Sequence, residues 1–353
     1  MASDLSIEPV ASLEALREEW NELAGMTRNV FATWDWASVW WEHFGAGREL
    51  VVKACRARDG RLVAVLPLYF FANGPLRVLR LLGHGPGDEL APVCAPAARA
   101  EAAEAFLRSL GGLRWDVFLG DGLPVDEGWT ALLGARPLAR DASPVLRIDG
   151  ASWDDLLASW STNLREQVRR RERKLSREHA LRYRLAEDPA QLQADLDLLV
   201  ALHSARWGER TAFTRWEAFH REFAACALER GWLRLWFLEL NDRPVAAWYG
   251  FRFAGVESYY QAGRDPDWSR SSVGFVLLVH SIREAVVDGM SEYRFLRGDE
   301  GYKYRFADLH REVETLALSQ GLLGRAAVGV RTVARHARPL EHVLGVLTRA
   351  LRR

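Results

Sequence analysis

A mixed α/β fold in two fused halves is what this sequence predicts, and three observations carry that expectation. The chain has 353 residues, more than one ordinary hydrophobic core organises and a comfortable length for two. Helix and strand signals alternate along its length, with no glycine-rich phosphate loop of the dinucleotide-binding type. Between Trp232 and Gly263 three strand-like runs follow one another almost without interruption and lead into an apolar helix.

In the first half, LSIEPV reads as a short strand, and Ser12 stands where a helix cap belongs before a helix to about Ala24. TWDWASVWWEHF gives a second helix from Trp34 to Phe44, with Trp36 and Trp40 at helical spacing. The runs LVVKACRA and RLVAVLPLYFF, joined by Asp59-Gly60, read as a hairpin. LRVLRLLG and RWDVFLG are two further strands around the Ala/Glu/Leu-rich helix AARAEAAEAFLRSL, and SPVLRIDG closes the half as its last strand.

The second half opens with a helix near Ser152, where Ser152 and Asp155 form a box-like S-x-x-D cap. The next helix, Thr162 to about Glu178, holds Arg165, Arg169, Arg170, Arg171, Arg173, Lys174 and Arg177 against Glu166, Glu172 and Glu178. Its apolar positions Leu164, Val168 and Leu175 mark one buried stripe. The remaining face is either a solvated surface paired with Glu at i+4 spacing or a seat for an anionic acceptor, the 3′-phosphate of a coenzyme, or tRNA. LRYRLAE is a strand, followed by helices from about Pro189 to Trp207 and from Arg215 to Arg230. After the three strands and the loop RDPDWSRSS, an apolar helix runs from Val273 to Asp288 and stops at Gly289. EYRFLRG and VETLALS are the final strands, separated by DEGYKYRFADLH. The expected boundaries are residues 1–150, 151–318 and a tail over 319–353. That tail carries seven arginines and one glutamate from Gly321 onward, interrupted at Pro339. It suits a terminal helix pair packed on the domain, or a peripheral membrane or protein contact.

Composition closes off several function classes. Lysines and arginines number 47 and aspartates and glutamates 47, so no global basic field argues for nucleic acid. The N-terminal MASDLSIEPV has neither the positive nor the apolar region of a secretory signal, and no apolar run approaches a membrane span. Cys55, Cys94 and Cys226 show no C-x-x-C spacing, which suggests neither a disulfide framework nor a zinc site. A cytoplasmic protein with no metal is the expectation. The fifteen tryptophans read as core packing, with sugar or base stacking as the functional alternative.

The chemistry concentrates in Trp232 to Leu318. A meander feeding a turn and a helix offers an anion site, because the first N–H groups of a helix lack intrahelical acceptors and sit at its positive end. The turn here is SRSSVGF, with Arg270, Ser271, Ser272 and Gly274. The run SVGFVLLVHSIREAVVDGMSEYRFLRGDEGYKYRF, above all FLRGDEGYKYRF (Phe295 to Phe306), resembles the GNAT acetyltransferases grouped with CelD-like cellulose-biosynthesis proteins, distant relatives of the FemAB aminoacyltransferases. The basic helix NLREQVRRRERKL resembles the helix that opens the second half of those relatives. The resemblance covers about residues 151–318 and leaves the first half as a degenerate GNAT-like unit. GNAT phosphate loops usually read Q/R-x-x-G-x-G/A, whereas R-S-S-V-G-F carries a single glycine displaced by one position.

The resemblance implies an acyltransferase in which an amine, or a hydroxyl, attacks the thioester of acetyl-CoA or another acyl-CoA directly. Its acceptor would be a small molecule or a cell-envelope or exopolysaccharide precursor. The alternatives are transfer from aminoacyl-tRNA and a non-catalytic partner role in polysaccharide assembly. The carbonyl-polarising N–H is expected near Trp248 to Phe251, opposite Tyr259 to Ala262. Asp299 and Glu300 are the candidate bases, since adjacent like charges past a strand end compete for ionisation; a plain solvated turn capped by Asp299 is the other reading. Tyr260 is the candidate acid, against simple core packing. Lys303 either holds a phosphate or pairs with Asp299 four residues earlier. His203, Arg206 and Trp207 are the acceptor candidates, with a structural histidine as the alternative for His203.

Overall fold

A computed structural model describes residues 5–336 of the chain. In chain order the first elements are β1 (Ser6–Pro9), α1 (Arg17–Thr27), α2 (Trp34–Phe44), β2 (Glu49–Leu50), β3 (Lys53–Arg56), β4 (Leu62–Leu66), β5 (Leu68–Asn73), β6 (Arg77–Leu81), β7 (Val93–Cys94), α3 (Arg99–Gly111), β8 (Val117–Pro124), α4 (Trp129–Leu132) and β9 (Arg136–Arg147). There follow α5 (Trp153–Ser159), α6 (Thr162–Glu178), β10 (Leu181–Leu185), α7 (Leu192–Trp207), α8 (Ala212–Arg215), α9 (Glu217–Glu229), β11 (Leu233–Leu240), β12 (Arg243–Phe253), β13 (Val256–Arg264), α10 (Val273–Val287) and β14 (Glu292–Arg294). The last two elements are β15 (Leu309–Ser319) and α11 (Gly321–His336).

The chain divides into two compact units, but not at residue 150. Unit 1 comprises Met1–Thr27, Phe31–Asp141 and Glu312–Arg353; unit 2 comprises Arg28–Val30 and Ala142–Arg311. The strand read as the end of the second half, VETLALS, therefore belongs to unit 1. It lies antiparallel to β8, with Val313 opposite Pro124 and Ser319 opposite Val117. Gly324 of α11 packs against the backbone of Asp116, and Ala327 and Val328 join Val78, Val117 and Ala317 in one apolar cluster. The tail positions around Pro339 lie outside the described residues.

Within unit 1, β1, β3, β4 and β7 form one sheet, and β2, β5, β6, β8 and β15 follow one another in a second ladder. LVAVLPLYFF, expected as one strand, splits at Pro67: β4 pairs with β3 and β7, whereas β5 pairs with β6 and β2. Proline brings no N–H to a ladder, so the chain changes sheets where a ladder bond is missing anyway. Trp20, Trp36, Trp40 and Trp129 are almost fully buried, which answers the tryptophan question for this half in favour of packing.

Within unit 2 the strand order is β10, β11, β12, β13, β14, then the Ala142–Arg147 part of β9. All neighbours are antiparallel except β13 and β14, which are parallel and joined through α10. Unit 1 repeats the plan: β5 and β6 antiparallel, β6 and β8 parallel across α3, β8 and β15 antiparallel. Each unit is a mixed α/β fold, and the two share this strand plan. Under the sheet of unit 2, α10 contributes Val276, Leu277, Ile282 and Ala285 to a core shared with Trp248, Tyr293, and the predicted stripe Leu164, Val168 and Leu175 of α6. Ser152 forms the expected capping box with Asp155, while Ser12 makes no side-chain cap.

Candidate functional site

The site lies where β13 and β14 part. Their parallel pairing holds only at Val256 with Glu292, Glu257 with Tyr293 and Ser258 with Arg294. Past that point the chain leaves β13 and keeps only β9, its other neighbour: Phe295 N–H donates to Pro144 O at 3.0 Å and Gly298 N–H to Ala142 O at 2.9 Å. Residues 259–264 of β13 keep β12 on one side and lose their strand on the other, so alternate backbone groups face the opening. This corrects the expected position of the carbonyl-polarising N–H. Trp248 to Phe251 are laddered on both sides, to β11 and to β13, and the open edge belongs to Tyr259–Arg264.

At the opening Tyr302 and Arg206 both act on the Tyr259 hydroxyl and pull its pKa down. The two rings are 6.5 Å apart. Burial raises the Tyr259 hydroxyl above the usual phenol range, against a downward pull from Arg206, so it stays a proton donor at neutral pH. Burial likewise pushes Tyr302 up, reinforced by Tyr259. The sequence placed the acid on the adjacent Tyr260. Strand alternation puts Tyr260 on the other face, beside His220 (5.4 Å), Phe251 (5.8 Å) and Tyr249 (5.9 Å).

The segment after β14 divides its labour. Lys303 is buried, its Nζ donating to the carbonyls of Leu296 (3.2 Å) and Arg297 (2.9 Å), with Glu300 at 2.9 Å. That ammonium clamps the turn; it is not offered to a phosphate, and its carboxylate partner is Glu300 rather than Asp299. Asp299 is exposed and accepts a hydrogen bond from Tyr304 at 2.6 Å. Its side chain caps no helix. The charge of Glu300 acts on both Tyr259 and Tyr302; no such effect of Asp299 is seen there.

The loop before α10 is a 3-10 turn, Pro266–Ser271, capped by Asp265 through the Asp267 N–H at 2.9 Å. Ser272 has a left-handed backbone (φ 58°) and its side chain makes no cap. Its carbonyl takes the N–H groups of Phe275 (3.0 Å) and Val276 (3.1 Å), while the N–H groups of Val273 and Gly274 precede any intrahelical acceptor. Arg270 is exposed, Ser271 is half-buried, and Arg264, which the sequence reading passed over, bonds Ser269 Oγ at 2.8 Å. A Cβ on Gly274 would meet Arg264 Cδ at 3.5 Å, an ordinary contact. Val273 is fully buried and Gly274 half-buried, so of these two residues Gly274 is the one at the surface.

His203 is buried at 3 % exposure. Its Nδ1 lies 3.3 Å from Ala262 O and its Nε2 3.0 Å from Thr211 Oγ1, which ties α7 to β13. Burial lowers its pKa. Arg206 lies over the Trp207 ring at 4.2 Å, and Trp207 is 54 % exposed. No cluster of metal-ligating residues occurs among the described residues, and no described helix is long and apolar enough to cross a membrane.

Residues 162–304 match the family model for the acetyltransferase (GNAT) domain. No curated protein matches the chain. Among solved structures, FemX shares the fold at a TM-score of 0.65 and 12 % identity, over 92 % of this chain and all of its own. A conserved protein of unknown function from Bacteroides thetaiotaomicron follows at 0.57 and 14 %, over 89 % of this chain and all of its own. The C-terminal domain of a protein assigned as a lysylphosphatidylglycerol synthetase from Agrobacterium fabrum gives 0.57 and 12 %, over 92 % and 97 %. Residues 162–304 are thus similar to a GNAT acetyltransferase domain, and the chain shares its fold with FemX.

Proposed function

We propose that unit 2 transfers an acetyl or other acyl group from acyl-CoA to an amine, or a hydroxyl, by direct attack. The observation that carries this reading is the parting of β13 and β14 with the Tyr259–Tyr302–Arg206 cluster at its mouth. A thioester lying along the open edge of β13 would present its carbonyl to the unpaired N–H groups there. Glu300 takes the proton of the incoming amine as the new C–N bond forms. Tyr259 gives its proton to the sulfur as the C–S bond breaks, and Tyr302 with Arg206 holds that hydroxyl in place. No covalent enzyme intermediate is needed. The acceptor class in this proposal is a cell-envelope or exopolysaccharide precursor, as for the CelD-like group, with Trp207 the exposed aromatic beside the cluster.

Calorimetric titration with acetyl-CoA tests the reading, repeated for Arg270→Ala, with turnover followed for Tyr259→Phe. Micromolar binding that weakens in the first variant is expected, with kcat lowered about 10–100-fold in the second at unchanged donor affinity. Failure to bind any acyl-CoA, or binding of charged tRNA in its place, would overturn it.

A further inference from the structure

The basic helix α6 is only partly explained by packing. Of its acids, Glu172 turns inward to Arg283 (2.8 Å) and Tyr183 (2.9 Å), and Glu178 faces Lys174 at 4.0 Å. The expected lattice of i+4 pairs is therefore almost absent. Arg169, Arg170, Arg171, Arg173 and Arg177 have no carboxylate within 4.0 Å among the described residues.

Arg171 is the inward one of these. It is half-buried, with its guanidinium carbon 4.5 Å from the ring centroid of Phe275, in the first turn of α10. From the turn after β14 a second guanidinium comes to the same ring: Arg305, at 5.4 Å. Gln167 of α6 holds it there, its Oε1 accepting from Nη2 at 2.9 Å. Two cations from different elements thus converge on one aromatic, with no carboxylate within salt-bridge reach of either among the described residues. Burial and the charges of Arg305 and Arg170 lower the Arg171 pKa. Like charges gathered without an acid hold an arrangement whose electrostatic cost an anion would remove.

We propose that Arg171 and Arg305 seat the phosphomonoester of the acyl donor, so that the enzyme selects coenzyme A over its 3′-dephospho form. The pair lies over the Phe275 ring, whereas a diphosphate would take the backbone N–H of Gly274 at the start of α10. The donor is then read at two separate anionic groups. This inference rests on the acyl-CoA reading above and adds to it the recognition of the donor's nucleotide end.

The test is calorimetric titration of the full chain with CoA and with 3′-dephospho-CoA, for the wild type, Arg171→Gln and Arg305→Gln. The wild type should bind CoA about tenfold or more tightly than the dephospho form, and each variant should lose that preference while its affinity for dephospho-CoA stays unchanged. Because Arg305 is exposed, Arg305→Gln reads the effect even where Arg171→Gln fails to fold. Tight CoA binding with no preference in the wild type, or a preference that survives both variants, overturns this inference and leaves the donor reading standing. No binding of either compound overturns both.

Discussion

Single residues decide the chemistry here through their partners. Asp299 and Glu300 are neighbours in sequence, yet one accepts from Tyr304 and the other lies at Lys303, within reach of the Tyr259–Tyr302 field. Tyr302 sits inside the segment FLRGDEGYKYRF that marked the site in sequence, but only the fold brings that turn to Tyr259 on β13. Tyr259 and Tyr260 are a similar case: one bulge, between Tyr249 and Gly250 in the β12–β13 register, settles which tyrosine faces the opening. The capping box at Ser152 was readable, being complete within four residues. Histidines shape the pH response: burial lowers His84, His203, His220 and His280 alike. His220 is held down to about 3 by burial, with His203 adding to it, and His280 to about 4 by burial and then Arg283, against an upward pull from Glu172. Both start from 6.5, so the unfolded chain takes up protons that the folded protein refuses. Stability is full above about pH 6.5 and declines as the pH falls toward 4, by on the order of 3 kcal/mol for each histidine. Urea melts at about pH 7.5 and about pH 4.5 read this directly. A slope that persists unchanged in a His220→Phe, His280→Phe variant would show that other groups cause it.

At the level of elements, close approach matters as much as hydrophobic pattern. A Cβ on Gly263 in β13 would overlap the backbone of Leu202 and His203 in α7; backbone cannot swing aside as a side-chain tip can. Gly263→Ala should therefore cost about 2–3 kcal/mol and lower turnover, because α7 also carries Arg206 to Tyr259. Equal stability and activity in that variant would mean α7 is not fixed by this contact. Helices were the most legible elements: Trp34–Phe44 and Thr162–Glu178 match their predicted bounds, since period and caps are local signals. Strands were less so. Proline in LVAVLPLYFF looked compatible with a continuous run, and the change of sheet at Pro67 depends on partners far away in sequence. The apolar stripe of α6 was readable, but the inward turn of Glu172 was not, because Arg283 and Tyr183 lie on other elements.

For the molecule as a whole, two halves were legible and their boundary was not. Composition signals where the chain has enough residues for a second core, but it does not say which core a later strand will join. The strand Leu309–Ser319 supplies unit 1 with Val313, Leu316 and Ala317, all buried, and its Glu314 accepts from Thr130. A chain ended at Arg311 retains everything that matches the acetyltransferase domain, yet it should lose more than about 5 kcal/mol of unit 1 stability relative to one ended at His336. Two urea transitions that coincide for both lengths would contradict this.

That return strand also sets an order of events during synthesis. Translation proceeds at roughly 5–20 residues per second, so β8 leaves the ribosome roughly 10–40 s before its partner β15 exists. Throughout that interval an edge of unit 1 is bare, with Phe118 and Leu119 beside it, while Ala142–Arg311 of unit 2 is being made. Such an edge invites pairing with the wrong chain. Brisk completion of unit 2 would shorten the exposure, which ties the yield of the nascent protein to the folding speed of its own insert.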